Sequence, residues 1–336
     1  MKKQIGVTGL EQHVRLALSN RYLELVLLPT EKCNFSCLYC YEAQQKGKMP
    51  SYVVEGIKKL ITLRAPSLTT LNIVWFGGEP LLTKSIIQEI MLHAIQAKKE
   101  NPSLNLISTI YTNGYLLDRE TSNFLSQLGI GWFHVTLDGW GEQHDNTRKR
   151  ADGGKTFDKI WKNLLMLHRS SLKVQIRLRV HYSPQNWRNL KILLDRVNNE
   201  FGQDKRFALY FRPISRWGSP NDHLIEKCSL EKHDEISDSL KKMFGNPEMI
   251  AEVPDIPVVC YAAQANSFII RSNGDIVKCV IPLEVPVNLI GKIKDDGSFN
   301  IDSRKLNLWV SVLGNQGDEM ARSCPYSHSA EVRKFR

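Results

Sequence analysis

The stretch YLELVLL (22–28), followed by KCNFSCLYCYE (32–42), decides how the rest of the chain is read. The first part is an apolar run of strand length. The second puts Cys33, Cys37 and Cys40 into a C-x3-C-x2-C spacing. A disulfide, a zinc site, a redox switch and an iron–sulfur cluster all compete for such a triplet. The 336-residue chain starts with two lysines but no apolar core behind them, and its longest apolar runs, such as LVLL (25–28), are far too short to cross a bilayer. Neither a signal peptide nor a membrane-spanning helix is therefore expected. A cytoplasmic location is the expectation, and there seven cysteines point to metal or catalysis rather than disulfides. Zinc usually takes four ligands, often as two C-x2-C pairs, and no partner pair is obvious. A [4Fe–4S] cluster usually takes four thiolates, so three would leave one iron open to a substrate or cofactor.

Outward from that stretch, strand-like and helix-like periods alternate. LNIVWF (71–76), LISTIY (106–111), WFHVTL (132–137), KVQIRLRVHY (173–182) and FALYFRP (207–213) read as strands. SYVVEGIKKLITLR (51–64), with Ser51 as N-cap, SIIQEIMLHAIQAKK (85–99) and a stretch near 118–128 read as helices. FDKIWKNLLMLH (157–168), NWRNLKILLDRVNNEF (186–201) and SLEKHDEISDSLKKMF (229–244) complete the set. Six strand–helix units predict an α/β fold with a parallel sheet and right-handed crossovers. Six rather than eight predict an open, partial (β/α)6 TIM-like barrel, with ligands at the C-terminal ends of its strands. The cysteine triplet follows the first strand in that loop class. From about residue 246 the pattern changes. NPEMIAEVPDIPVV (246–259) reads as a linker, and SFIIRSNGDIVKCVI (267–281) as a hairpin around its NG pair. The expected organisation is a lead-in over 1–21, the barrel over 22–245, the linker over 246–259 and a small β-rich domain over 260–336.

CNFSCLYC after a first strand resembles the cluster motif of the radical SAM superfamily. The resemblance implies a [4Fe–4S] cluster on Cys33, Cys37 and Cys40, whose open iron binds the amino and carboxylate groups of S-adenosylmethionine (SAM). An electron then cleaves SAM to methionine and a 5′-deoxyadenosyl radical, which abstracts hydrogen from a substrate. WFGGEPLL (75–82) resembles the family's glycine–glycine–glutamate–proline motif. It implies that Gly77 and Gly78, ahead of Pro80, let backbone approach the ligand, and that Glu79 contacts the SAM ammonium. YTNG (111–114), with Thr112 and Asn113, and VTLDG (135–139), with Thr136 and Asp138, end the third and fourth strands on the same edge. By the resemblance Thr136 lies where SAM contacts come from. HDNTR (144–148) follows as in many peptide-modifying members. Arg148 there pairs with the SAM carboxylate or forms a surface salt bridge. Tyr39 is a candidate to shield the cluster or pack near the adenine.

Cys260 and Cys279 frame a C-x13-G-x4-C spacing with Gly274 in its turn. This resembles the opening of the SPASM domain, which binds two auxiliary [4Fe–4S] clusters, or one in its shorter twitch form. The full pattern would continue as C-x2-C-x5-C-x3-C. Here ARSCPYSHSAEVRKFR (321–336) keeps only Cys324, with Ala321 and Ala330 in place of neighbouring cysteines. The expectation is at most one auxiliary cluster, on Cys260, Cys279 and Cys324, with Cys228, His328 or a substrate atom as fourth ligand. The alternative is a degenerate domain whose cysteines merely pack. Cys228 has no metal spacing and otherwise reads as an ordinary thiol.

The leading functional expectation is a radical SAM enzyme that modifies a ribosomally made peptide by cross-linking, thioether formation or epimerisation. The net charge of +10 suits an anionic partner, with a solvated basic surface as the plainer explanation. No zinc-finger, helix-turn-helix or RNA-recognition signature supports nucleic acid. Expected partners are a peptide or protein substrate and an external electron donor such as flavodoxin. A separate peptide-recognition protein is also expected, because only about 20 residues precede the first strand. Three alternatives remain. An anaerobic sulfatase-maturing enzyme would carry an aspartate where Val280 follows Cys279, and all the SPASM cysteines. A small-molecule enzyme like that of the molybdopterin pathway would carry a C-x2-C-x13-C tail. The last is a non-enzymatic iron–sulfur protein.

Overall fold

A computed structural model describes residues 7–226, 229–251, 258–314 and 318–334. Helix α1 (Val7–Leu18) leads into β1 (Tyr22–Leu27) and the short β2 (Phe35–Cys37). There follow α2 (Ser51–Arg64), β3 (Thr70–Trp75), α3 (Lys84–Glu100), β4 (Asn105–Thr112), α4 (Arg119–Gln127) and β5 (Trp132–Leu137). Next come α5 (Glu142–Thr147), β6 (Arg148–Arg150), α6 (Phe157–His168), β7 (Gln175–Tyr182), α7 (Lys191–Phe201), β8 (Phe207–Pro213) and α8 (Leu230–Phe244). Six strands run parallel in the order β1-β3-β4-β5-β7-β8, which is the expected α/β architecture. The sheet is open, with β8 as an edge.

Strand alternation sorts the two faces. On β7, Ile176, Leu178, Val180 and Tyr182 are buried, whereas Gln175, Arg177, Arg179 and His181 are only partly so. The buried set joins one core with the apolar faces of α2, α3, α6 and α7. The other face carries no helix of that core and is the one left for ligands.

Residues after 258 extend the same sheet. β9 (Ser267–Ile270) pairs in parallel with β1, and β10 (Asp275–Val277), β11 (Leu289–Ile293) and β12 (Phe299–Ile301) continue antiparallel. Helix α9 (Ser303–Val310) and shorter helical turns follow. Val26 and Leu28, on the helix-free face of β1, pack with Ile269, Val277 and Leu283. A buried ion pair between Arg271 and Glu31, 2.7 Å, fastens this edge to the loop that carries Cys33.

One local expectation is corrected. Ser51 does not cap α2: Pro50 takes the N-cap position in an extended conformation, with no side-chain bond to the helix. Proline's fixed φ sets the helix entry instead. Ser229 does cap α8, its hydroxyl accepting from the Lys232 N–H. Among the described residues no helix is long and apolar enough to cross a membrane.

Candidate active site

The cysteine loop leaves the C-terminal end of β1 and is held from across the sheet. β2 pairs antiparallel with β6, so Cys37 lies opposite Arg148. The Leu38 N–H donates to the Thr147 carbonyl at 2.8 Å, and the Cys40 N–H to the Cys37 carbonyl at 3.1 Å. N–H groups also face the sulfurs: Phe35 N lies 3.4 Å from Cys33 Sγ, Asn113 Nδ2 3.9 Å from the same atom, and Gln44 Nε2 3.8 Å from Cys40 Sγ. The six described cysteines are all free. Burial pushes the Cys33 thiol up to about 12 and Cys37 to about 11, and raises Cys40. Such thiols keep their protons near neutrality and bind metal only by exchanging the proton for it. Among the described residues no three His, Cys, Asp or Glu side chains gather tightly enough for a single metal ion, as zinc would require. A [4Fe–4S] cube instead spreads its thiolates over separate irons.

The glycine pair after β3 presses against this loop. Gly77 has φ of +108°, and a Cβ there would lie 2.5 Å from the Thr30 carbonyl oxygen. A Cβ on Gly78 would lie 2.3 Å from the Lys32 carbonyl oxygen. The close approach that the sequence assigned to the ligand is thus, first, one of loop on loop. The Glu79 N–H completes the contact, donating to the Lys32 carbonyl at 3.0 Å. Glu79 is wholly buried, and Pro80, which opens the next helical turn, is buried too. Its carboxylate accepts from Thr112 Oγ1 at 2.9 Å, Asn113 N at 2.8 Å and Leu81 N at 3.1 Å. Burial pushes its pKa up to about 7. Asn113 reaches back to the cysteine loop, Nδ2 donating to Asn34 Oδ1 at 2.8 Å.

Asp138, also wholly buried, anchors the other side. It accepts from the Tyr39 hydroxyl at 3.0 Å and Thr147 Oγ1 at 2.7 Å. The Tyr39 hydroxyl in turn accepts from Arg148 Nη1 at 2.7 Å and meets His181 Nδ1 at 2.9 Å. Burial alone would raise the Asp138 carboxyl, but the His181 bond and the Arg148 charge hold it below the usual carboxylate range. Arg148 is 6% exposed, which rules out a surface salt bridge. Its Nε is buried without a partner. Thr136 accepts from Arg179 Nε at 3.0 Å. His181, Thr147 and Arg179 had not been singled out. The signal for His181 and Arg179 lies in KVQIRLRVHY (173–182), whose alternation puts Arg177, Arg179 and His181 on one face, and Thr147 lies inside HDNTR (144–148).

The segments that carry Cys260 and Cys324 are joined through the backbone. Cys260 N–H donates to the Arg322 carbonyl at 2.9 Å, two residues from Cys324. Burial pushes Cys260 up to about 12 and Cys279 to about 11, and both also feel Cys324. Asn288, missed in the sequence, clamps the Cys279 turn: its Oδ1 accepts from Cys279 N at 2.8 Å and its Nδ2 donates to Cys279 O at 2.7 Å. Cys228 lies outside the described residues. Arg271, eight residues before Cys279, pairs with Glu31, two residues before Cys33, so the segment that leads to Cys279 borders the cysteine loop.

Comparison with known proteins matches residues 27–197, half of the chain, to the radical SAM superfamily. The chain belongs to that superfamily. It is accordingly an enzyme of a family that uses a [4Fe–4S] cluster and SAM. Among curated relatives, the Fe-coproporphyrin III synthase of Methanosarcina barkeri is 26% identical over 216 residues, 64% of this chain and 50% of that protein. The chain thus spans about half or less of the first curated relatives' lengths. Native anSMEcpe, solved with AdoMet and the Cp18Cys peptide, shares the fold at TM-score 0.65 and 18% identity, covering 94% of this chain and 82% of that one. Streptococcus suis SuiB bound to precursor peptide SuiA does so at 0.60 and 17%, covering 90% and 67%.

The residues present fit the family's cofactors. Glu79 is a buried carboxylate with no lysine or arginine in ion-pair range among the described residues, suited to an ammonium. The unpartnered Arg148 Nε is suited to a carboxylate.

Proposed function

We propose that this enzyme modifies a ribosomally made peptide by hydrogen abstraction, leading to a cross-link, a thioether or an epimerised centre. The cluster and SAM, when bound, supply the reductive cleavage that generates the abstracting radical. Cys33, Cys37 and Cys40 would hold the cluster. Glu79, Arg148, Thr136, Asn113 and the Gly77–Pro80 turn would seat SAM, with Thr112, Asp138 and Tyr39 positioning them. Residues 22–245 would form the radical SAM part and 260–336 a SPASM/twitch-like part joined by 246–259. Cys260, Cys279 and Cys324 would hold one auxiliary cluster, which would supply a place for an electron released in cross-linking. An external donor such as flavodoxin and a separate peptide-recognition protein complete the proposal.

The observation that carries this reading is the parallel pairing of β9 with β1 together with the Arg271–Glu31 ion pair, which set the extension that carries Cys279 against the cysteine loop. Both solved neighbours above were captured with peptides, which supports the same reading. The test uses reconstituted enzyme, SAM and a reductant with a fully deuterated tryptic peptide mixture, and in parallel a deuterated small-metabolite extract. Deuterium in 5′-deoxyadenosine from the peptides alone is expected. Transfer only from the metabolites would move the reading to small-molecule chemistry.

A further inference from the structure

The helix-free face of the sheet carries Arg177 and Arg179 on β7, with Arg212 beside them on β8 over the Tyr210 ring at 5.8 Å. Arg177 and Arg179 are two residues apart on β7, so both point to that face. Arg179 is level with Thr136, and Arg177 is level with His134, one pleat or about 7 Å further from the cofactor edge. Each guanidinium lies over a ring: Arg177 over Trp132 at 4.6 Å and Arg179 over Tyr111 at 5.9 Å. His134 stacks on Tyr111 at 4.3 Å and meets the Tyr210 hydroxyl at 3.1 Å. Burial first, then Arg179 and Arg177, push the His134 imidazole down to about 3, so both cations bear on one neutral aromatic row.

Neither arginine has a carboxylate in ion-pair range among the described residues. Glu24 and Asp138 near this face are engaged elsewhere, and Glu42 of the cysteine loop keeps a buried Oε2 without a partner. Glu24 accepts from Asn72 Nδ2 at 2.8 Å and Ser267 Oγ at 2.8 Å, and Asp138 from Tyr39 and Thr147. Two partly buried like charges with aromatic walls and no counter-ion are costly on their own. An anion between them removes that cost, and the flat forks of two guanidiniums match a carboxylate. Arg179 donates to Thr136, and His181, two residues on along the same face of β7, meets the Tyr39 hydroxyl, so the arginine row runs up to the cysteine loop.

We propose that Arg177 and Arg179 hold a carboxylate of the peptide substrate, so that the residue being modified neighbours an acidic group. This rests on the peptide-modifying reading and adds the substrate's chemistry to it. The carboxylate is an aspartate or glutamate side chain or the peptide's C-terminus.

The test is calorimetric titration of reconstituted, SAM-loaded enzyme with acetyl-Gly-Gly-Glu-Gly-Gly-amide, its glutamine counterpart, and acetyl-pentaglycine with a free C-terminus. The glutamate peptide should bind at least about tenfold tighter than the glutamine one, the scale of a charge-assisted hydrogen bond. That advantage should disappear in the Arg177→Gln/Arg179→Gln variant and shrink several-fold between about 50 and about 500 mM salt. Preference for the free C-terminus instead assigns the carboxylate to the chain end. Equal binding of all three peptides, no binding of any, or an advantage that survives the double variant overturns the proposal. If the double variant does not fold, the wild-type glutamate-to-glutamine ratio and Arg177→Lys, which keeps the charge, decide the matter. Tenfold weaker SAM binding in Arg179→Gln, without any glutamate preference in the wild type, gives the arginines to SAM and also overturns it. Deuterium transfer from peptides tests the parent reading separately. A glutamate preference without such transfer leaves the carboxylate site standing and removes the peptide reading.

Discussion

Gly78→Ala tests whether the glycine pair acts through the cysteine loop. The added methyl would lie 2.3 Å from the Lys32 carbonyl oxygen, 2.6 Å from its carbon and 2.7 Å from the Glu31 oxygen. All three are backbone atoms, so no side chain can swing aside. Ordinary contact needs the two loops to part by about 1 Å. That movement strains or breaks the Glu79 N–H bond to Lys32, 3.0 Å. Overpacking costs about 1–3 kcal/mol and the weakened bond about 1 kcal/mol more. At about 2 °C per kcal/mol for a chain of this size, Tm should fall by roughly 4–8 °C. Circular dichroism measures that, and iron per chain after reconstitution reports on the displaced Cys33. Gly47→Ala is the control: it lies in the same segment, with nothing within 4 Å of its added methyl. If Gly78→Ala melts and loads iron like Gly47→Ala, the loop-on-loop argument is wrong.

Three further outcomes follow from the same physics. His134 stays neutral in the fold with a pKa near 3, whereas an unfolded chain titrates it near 6.5. Its contribution is complete above pH 6.5 and is lost as pH falls towards 3, up to about 2 kcal/mol at pH 5. His134→Phe should therefore lose less stability between pH 7 and pH 5 than wild type, and an unchanged slope in denaturant titrations would count against this. Arg148→Gln should weaken SAM binding by about 10- to 100-fold, the value of a charged hydrogen bond, as equilibrium dialysis would show; unaltered affinity removes Arg148 from the SAM site. Ser229→Ala should cost about 1 kcal/mol through the lost cap and Ser51→Ala far less, with urea midpoints as the readout.

The parts of the fold written in local periodicity were legible. β5, β8 and α6 begin and end at the residues their patterns gave, because alternation and helical spacing are properties of adjacent residues. What depended on distant pairing was not. The β2–β6 ladder joins two three-residue strands more than a hundred positions apart, too short for any period. β9 joins β1 across some 240 positions, so the expected β-rich C-terminal strands continue the main sheet, a junction that no local pattern carries. Of the candidate site, the thiols, Glu79 and Thr136 were visible as motifs. His181, Arg179 and Asn288 were not, since alternation gives a residue's face but not which strands meet there. The orphaned Nε of Arg148 and the loop packing of Gly77 and Gly78 appear only in three dimensions.

The most direct test of the central claim is iron per chain, with 5′-deoxyadenosine formed from SAM after reduction, in anaerobically reconstituted wild type and the Cys33/Cys37/Cys40→Ala variant. At about four irons per cluster, about eight in wild type and four in the variant are expected, with 5′-deoxyadenosine from the wild type alone. A variant that still forms 5′-deoxyadenosine, or a fully loaded wild type that forms none, would contradict the assignment of these three thiols.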